Sequence, residues 1–459
     1  MVRPRTNKTG AAVAGRAREV LRDASYFAAV PEAELSDEEL LTRSKVLSQI
    51  GSIRIDQGRL AEALPPLRES LALARVLAQR SPEDSKRQFE LGQSLFWVGY
   101  AQWLQGDLDG ALVPFREYLA VSKELVARDP ANSDWQLELA YGHSNIGSVL
   151  EARGDLEGAL REFQAVLEIK KGLLERDPGN AEWRLDLART YNNVAKTSER
   201  LGDLEGALRG YRTELATKES LVAGTPNAQW QRELALTYSH LGDALETTGD
   251  LVGSRHNLER ALAVLHGLVA SDSTNTRWRC DLAINQLMIG HLDLEQGDLK
   301  KALGGTRAAL REIAGLAAAD PANVTWQREL VKAHSYLAEA LIASGRLSDA
   351  ASEIEKGESL ARLLLEKAPR DRETNQVFGV NRLLFGKVRS GMNDPEGGRR
   401  AWTQAVELLE PLARGSRERR ILDPLAQALL HLARTEEARP YSEFLIDLGY
   451  QGHGLRADG

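Results

Sequence analysis

Eight times along the chain, an apolar residue is followed at once by a small one: Ile50 and Gly51, Val98 and Gly99, Ile146 and Gly147, Val194 and Ala195, Leu241 and Gly242, Ile289 and Gly290, Leu337 and Ala338, Phe385 and Gly386. Seven residues beyond each small residue stands a corner, at Gly58, Gly106, Gly154, Gly202, Gly249, Gly297, Gly345 and Asn393. Successive corners lie 48, 48, 48, 47, 48, 48 and 48 residues apart. Five residues past each corner a small residue returns, at Ala63, Ala111, Ala159, Ala207, Ser254, Ala302, Ala350 and Gly398. Self-similarity at a fixed period is the mark of a repeat array, in which each unit is one supersecondary motif stacked on its neighbours.

The unit reads as two antiparallel helices. In the third, apolar residues at helical spacing run up to Gly154, which supplies the left-handed residue that ends a helix. Asp155 follows as an N-cap and opens the second helix at once. That helix stops near Asp177-Pro178, because the residue before proline is pushed out of the helical region. The next cap column holds Asp84, Asn132, Asn180, Asn227, Asn275, Asn323 and Asp371, all capping types. Asn393 in the eighth corner is the usual substitute where glycine would be left-handed. Small residues in the two columns predict close approach of the paired helices. A lone pair cannot bury its apolar face, so stacked neighbours supply the core.

With these columns in view, residues 146–167 resemble a tetratricopeptide repeat, with Leu or Ile, Gly, Leu, Gly, Leu, Ala, Phe and Leu at the family's offsets. The run ARTYNNVAKTSERLGDLEGALRGY is similar to the kinesin-light-chain kind. The departure is length. That family repeats every ~34 residues, whereas 48 residues here predict helices of about 20 residues and about 30 Å. The resemblance spans roughly residues 36 to 440. It implies an all-α, right-handed α-solenoid of about eight helix-turn-helix repeats with a shorter C-terminal capping unit. The expected divisions are 1–35, an irregular basic arm with a lead-in helix; 36–415, the repeat array; and 416–459, the capping unit and a frayed tail from Gln451. Ser36 and Glu39 form a capping box that opens the first regular helix.

Composition narrows the function classes. Net charge is −7 in 459 residues, so the basic face that phosphate contacts require is missing and a nucleic-acid partner is not expected. No run of 18 apolar residues is present for a membrane span, and the apolar stretch AAVA near the N-terminus is too short for a signal-peptide core. A single cysteine, Cys280, excludes an internal disulfide framework and a multi-cysteine zinc site. A cytoplasmic protein is expected, and Ala/Arg/Leu-heavy usage points to a GC-rich bacterium.

Catalytic chemistry has no foothold in the sequence. There is no Gly-rich phosphate loop, HExxH or GxSxG, and the histidines are scattered rather than at ligand spacing. Carboxylates such as Glu138, Asp186, Glu233, Asp281 and Glu329 recur in every unit, which points to surface and helix-dipole roles rather than a site that occurs once. No cofactor, metal or enzymatic activity is expected. The tryptophans at 135, 183, 230, 278 and 326 recur three residues after the cap and are expected to pack across the helix junction.

Phe96, Trp97, Tyr100 and Trp103 differ, since no other unit has aromatics there and they share one helix face. The family resemblance implies that these positions line the concave groove, followed in the next units by Tyr141, Ser144, Asn145, Ser148 and Glu151, and then Arg189, Asn192, Asn193, Lys196 and Glu199. The alternative is that the aromatics fill a wide helix junction. The resemblance also implies that Asn145 and Asn193 pair with the backbone of an extended peptide. A chaperone-type carboxylate clamp is incomplete, because Phe96 and Tyr100 occupy the places of its Lys and Asn. The function expected is a non-catalytic protein-interaction scaffold that takes a peptide segment or partner helix in the groove, with self-association an open alternative. A second reading resembles the C-terminal repeat arrays of bacterial multidomain kinases, cyclases and NTPases, with this chain a sensor or assembly subunit of a separately encoded enzyme; the truncated-looking start of the chain fits it. Arg399, Arg400, Arg414, Arg417, Arg419 and Arg420 form a second surface, read as a solvated face or as a dock for an acidic partner.

Overall fold

The computed structural model describes residues 34–224, 227–448 and 450. The basic arm before residue 34 and the tail from Gln451 lie outside the described residues. Among these, the chain is eighteen helices joined by short corners. The first helices of the eight pairs are α1 (Asp37–Asp56), α3 (Ser85–Leu104), α5 (Ser133–Arg153), α7 (Ala181–Arg200), α9 (Ala228–Thr247), α11 (Thr276–Glu295), α13 (Val324–Ala343) and α15 (Arg372–Gly391). Their partners are α2 (Leu60–Arg80), α4 (Leu108–Arg128), α6 (Leu156–Arg176), α8 (Leu204–Gly224), α10 (Leu251–Ser271), α12 (Leu299–Ala319), α14 (Leu347–Lys367) and α16 (Pro395–Ala413). A shorter pair, α17 (Arg419–His431) and α18 (Thr435–Asp447), completes the array.

The corners follow from local chemistry. All seven predicted glycines have positive φ, from 74° to 86°, and Asn393 takes 63° in the eighth corner. Ala433, in the corner of the short last pair, takes 58° although nothing in its residue type favours it. Each predicted cap acts as one. Asn132, Asn180, Asn227, Asn275 and Asn323 accept the backbone N–H of the tryptophan three residues on, at 3.0–3.2 Å. That fixes the tryptophan column at the helix start, where Trp183, Trp278 and Trp326 pack half-buried on their local cores.

The second helices are capped by aspartate, with Asp107, Asp155, Asp203, Asp250 and Asp394 each accepting from a glycine N–H three residues later. A Cβ on those glycines would lie within 2.5 Å of the cap carboxylate, so the Gly three residues after each of these Asp caps is its steric partner. In the first and seventh units Arg59 and Arg346 stand at this position and make no side-chain cap. The small column works as a socket for a large side chain of the paired helix: a Cβ on Gly99 or Gly147 would sit 2.9 or 2.8 Å from the ring of Phe115 or Phe163.

The array divides into two compact units, residues 1–190 and 191–459, with the boundary inside α7. Apolar burial in each is a string of local clusters rather than one central core, as expected where repeats stack in sequence. One expectation is corrected. The recurrent carboxylates are not surface groups: Glu138, Glu233 and Glu329 are buried. Glu138 takes hydrogen bonds from Tyr118 and from Gln93 across the junction to the preceding pair. Asp281 receives both the Nε and Nη2 groups of Arg232. A buried polar group must be paired, so this column carries the contacts between repeats.

Candidate functional site

In the first unit, α3 and α5 carry the predicted aromatic and amide residues. Phe96 is fully buried, stacked on Tyr100 with centroids 5.6 Å apart and packed against Phe115 and Tyr118. Tyr100 and Tyr141 belong to the same apolar cluster. These three line no open surface; their rings are drawn into the junction because glycines at 92 and 99 leave room for the facing side chains. Trp97 and Trp103 remain half-buried, the first edge-on to Phe96 and the second stacked on Tyr100 at 6.1 Å. Ser148 is half-buried and donates to the Ser144 carbonyl, while Arg189 is exposed and pairs with Asp186 at 3.0 Å.

Asn145 is the anomaly. Its side chain is fully buried, yet neither its Oδ1 nor its Nδ2 has a hydrogen-bond partner among the described residues. Leaving buried polar groups unpaired costs about 1–3 kcal/mol each. The position is the one at which Trp97 stands a repeat earlier.

In the second unit the predicted amides are engaged differently. Asn192 donates to Glu214 at 2.9 Å and lies 3.2 Å from His240 Nδ1. Burial and the positive charges of Lys196, Lys218 and Arg420 hold the His240 imidazole well below its ordinary range, so it is neutral. Asn193 is half-buried and Lys196 exposed. The position of Lys196 continues as Asp243, His291, Glu339 and Lys387, a column of alternating charge that no single repeat reveals.

That column meets the arginines of the C-terminal pair. Arg419 Nη2 lies 3.5 Å from both Asp243 and Glu246, and its guanidinium sits 5.1 Å from the centre of the Tyr450 ring. Glu246 also receives His291 at 3.2 Å, and the other ring nitrogen of His291 is 3.8 Å from Glu339. Burial opposes a charge on His291, but Glu246 and Glu339 outweigh it and push the imidazole up to about 9. Glu418 is held below its ordinary value despite burial, because Arg200 and Arg372 approach it at 3.1 and 2.9 Å. Arg419 therefore faces the chain's own carboxylates, whereas Arg420 is exposed; sequence spacing carried no sign of the Arg419 contacts, since the partners lie about 175 residues away. Arg417 lies over the Phe444 ring at 5.4 Å, while Arg399, Arg400 and Arg414 are exposed. Cys280 is buried and its thiol is pushed up to about 12 by burial and neighbouring carboxylates, which makes it a poor nucleophile. No cluster of His, Cys, Asp and Glu among the described residues could hold a metal ion, and no described helix is long and apolar enough to cross a membrane.

No protein-family model and no curated protein matches the sequence. Solved structures do match. The apo form of the quorum sensor NprR from B. thuringiensis is similar over 86% of this chain and 99% of its own, at 14% identity and a TM-score of 0.50. The apo form of RapI is similar over 70% and 99%, at 11% identity and the same TM-score of 0.50. BtubC (BKLC) from P. vanneervenii matches over 56% of this chain and 92% of its own, at 21% identity and a TM-score of 0.45. The fold is a tetratricopeptide-like repeat solenoid. At such identities the likeness carries the fold alone, and within this solenoid what can be bound must be argued from the side chains.

Proposed function

We propose that the solenoid is a non-catalytic protein-interaction scaffold that captures an extended peptide segment or partner helix on the first-helix face of its first unit. Trp97 and Trp103 supply the apolar anchors, and Asn145 supplies the backbone contact. Phe96, Tyr100 and Tyr141 back the anchors from within the core; Ser148 and Arg189 flank them. In the second unit, considered by itself, Asn192, Asn193 and Lys196 stand at the matching helix positions.

The observation that carries the proposal is the unpaired amide of Asn145. A peptide backbone offers the donor and the acceptor that this side chain lacks, and an unpaid polar group kept inside a core is the kind of local cost that binding relieves. The amide is closed to solvent in the free protein, so capture includes a rearrangement of side chains over it, as is common at interfaces. Trp is among the residues most enriched at binding hot spots.

The test separates function from structure. Asn145→Leu keeps the shape and removes the unsatisfied groups, so it is expected to raise stability by about 1–2 kcal/mol while abolishing capture from a displayed peptide library. Trp97→Ala with Trp103→Ala is expected to abolish capture with helicity unchanged. Peptides selected equally by wild type and both variants would overturn the proposal.

A further inference from the structure

The second unit makes contacts that a linear stack of repeats has no reason to make. From α8 through α18, each helix packs on the next in chain order, yet the end of the unit also touches its beginning. Arg200 at the end of α7 reaches Glu418 across 218 residues of sequence, and Glu418 is shared with Arg372 on α15. Arg419 reaches α9 through Asp243 and Glu246. Arg420, an exposed residue, has its guanidinium held above its ordinary value by the charges of Asp243, Glu199 and Glu418. The ring of Phe444 on α18 lies so close to Gly202 that a Cβ there would be 2.8 Å from it.

The balance of contacts at this junction differs from that between successive repeats. Successive repeats are joined by apolar clusters together with ion pairs such as Arg232–Asp281, and α17 and α18 are themselves anchored on α15 and α16 through Leu383, Trp402, Leu409, Leu425 and Leu429. No residue of α7, α9 or α11 belongs to that cluster. The closing junction is ionic, with Phe444 at Gly202 as its apolar contact. Its placement is also against local preference. Arg419 and Arg420 occupy the first turn of α17, where the helix dipole disfavours cations. Glu418, at the N-cap position, makes no capping bond and turns its carboxylate to Arg200 and Arg372 instead.

We propose that the second unit is a ring held shut by an ionic clasp, Arg200–Glu418–Arg372 together with Arg419–Asp243/Glu246, and that it opens by parting these pairs while every repeat stays folded. The basis is a difference in how the two kinds of junction respond. Salt weakens ion pairs, less where they are partly buried as these are, so that high salt is needed to reach them, whereas apolar contacts between repeats are not weakened by it. Opening exposes the half-buried members of the charged first-helix column, Asp243, His291, Glu339 and Lys387. The inference concerns conformation and is read without any ligand, so it stands or falls independently of the capture proposed for the first unit.

The experiment is energy transfer between dyes on cysteines introduced at Arg209→Cys on α8 and Arg439→Cys on α18. Both sites are more than half exposed, and the buried Cys280 does not compete for label. Expected is high transfer in low salt and loss of transfer as sodium chloride is raised to 1 M, with the far-ultraviolet circular dichroism unchanged. Glu418→Gln with Arg419→Gln is expected to show the low transfer already in low salt. Transfer that is independent of salt, or already low for wild type in low salt, overturns the clasp. Should the double variant lose helicity, the wild-type salt titration decides alone.

Discussion

Lys170 and Lys218 stand at the same position of consecutive repeats, and only one of them has a counter-ion. Lys218 Nζ lies 2.7 Å from Glu214 and 3.7 Å from Glu233. At the place of Glu214 the preceding repeat has Val166, and Lys170 Nζ finds only the Asp186 carbonyl and the Thr190 hydroxyl, each at 3.1 Å. Burial, with Arg189 nearby and only partly offset by Asp186, brings its amine from 10.5 down to about 8. Held at about 8 instead of 10.5, the charged amine costs about 3 kcal/mol in the folded state. A base with a lowered folded pKa imposes that cost fully below pH ~8. From pH 8 to 10.5 the unfolded chain binds the proton more readily than the folded one, so stability rises with pH until the cost is gone.

Lys170→Met removes the buried charge with little change in volume. Thr190 Oγ1 still donates to the Asp186 carbonyl at 2.9 Å, so neither former partner is stranded. Allowing about 1 kcal/mol for the lost hydrogen bonds, the variant is expected to be more stable than wild type by ~2 kcal/mol at pH 7. That gain should shrink to nothing or reverse by pH 10. Urea unfolding followed by circular dichroism at pH 7, 8, 9 and 10 measures it. Val166→Glu, which recreates the Glu214 arrangement, should flatten the wild-type pH dependence by a second route. A Lys170→Met protein less stable than wild type at pH 7, or a difference independent of pH, would refute the reasoning.

Two further outcomes test the packing. Gly147→Ala places a Cβ 2.8 Å from the buried Phe163 ring and is expected to destabilise by about 1–2 kcal/mol net of the better helix propensity. Gly172→Ala, on α6 with nothing within 4 Å, should instead gain up to ~1 kcal/mol; melting temperatures that move the same way for both would contradict the socket geometry. Ala433→Gly relieves a left-handed alanine at φ 58° and should slow amide exchange in α17 and α18, reflecting about 1 kcal/mol; unchanged or faster exchange would show the corner to be unstrained.

Features set within about one repeat were legible from the residues alone. Period, corners, caps and helix lengths follow from φ preferences and from side chains that bond their own backbone within four residues. Asn393 was legible as a left-handed corner for that reason. The glycine three residues after each capping aspartate was equally local, but its meaning emerged only when the carboxylate was seen to occupy the space of its Cβ.

Features that depend on neighbours in space were not legible from the residues alone. Whether Phe96 faces a groove or a core is a matter of a few ångströms at the α3–α4 junction, since the same helical stripe serves both. The recurring carboxylates have the spacing of a surface row and are buried because the adjoining repeat supplies Tyr118 and Gln93 for Glu138, and Arg232 for Asp281. Lys170 and Lys218 are the same letter in the same column, and a single Val for Glu one turn away separates a lone buried amine from a paired one. The return of Arg419 to Asp243 and Glu246 lay furthest beyond reach. It depends on the summed curvature of several repeats, and small rotations between neighbours accumulate over a solenoid into a contact that no local pattern encodes.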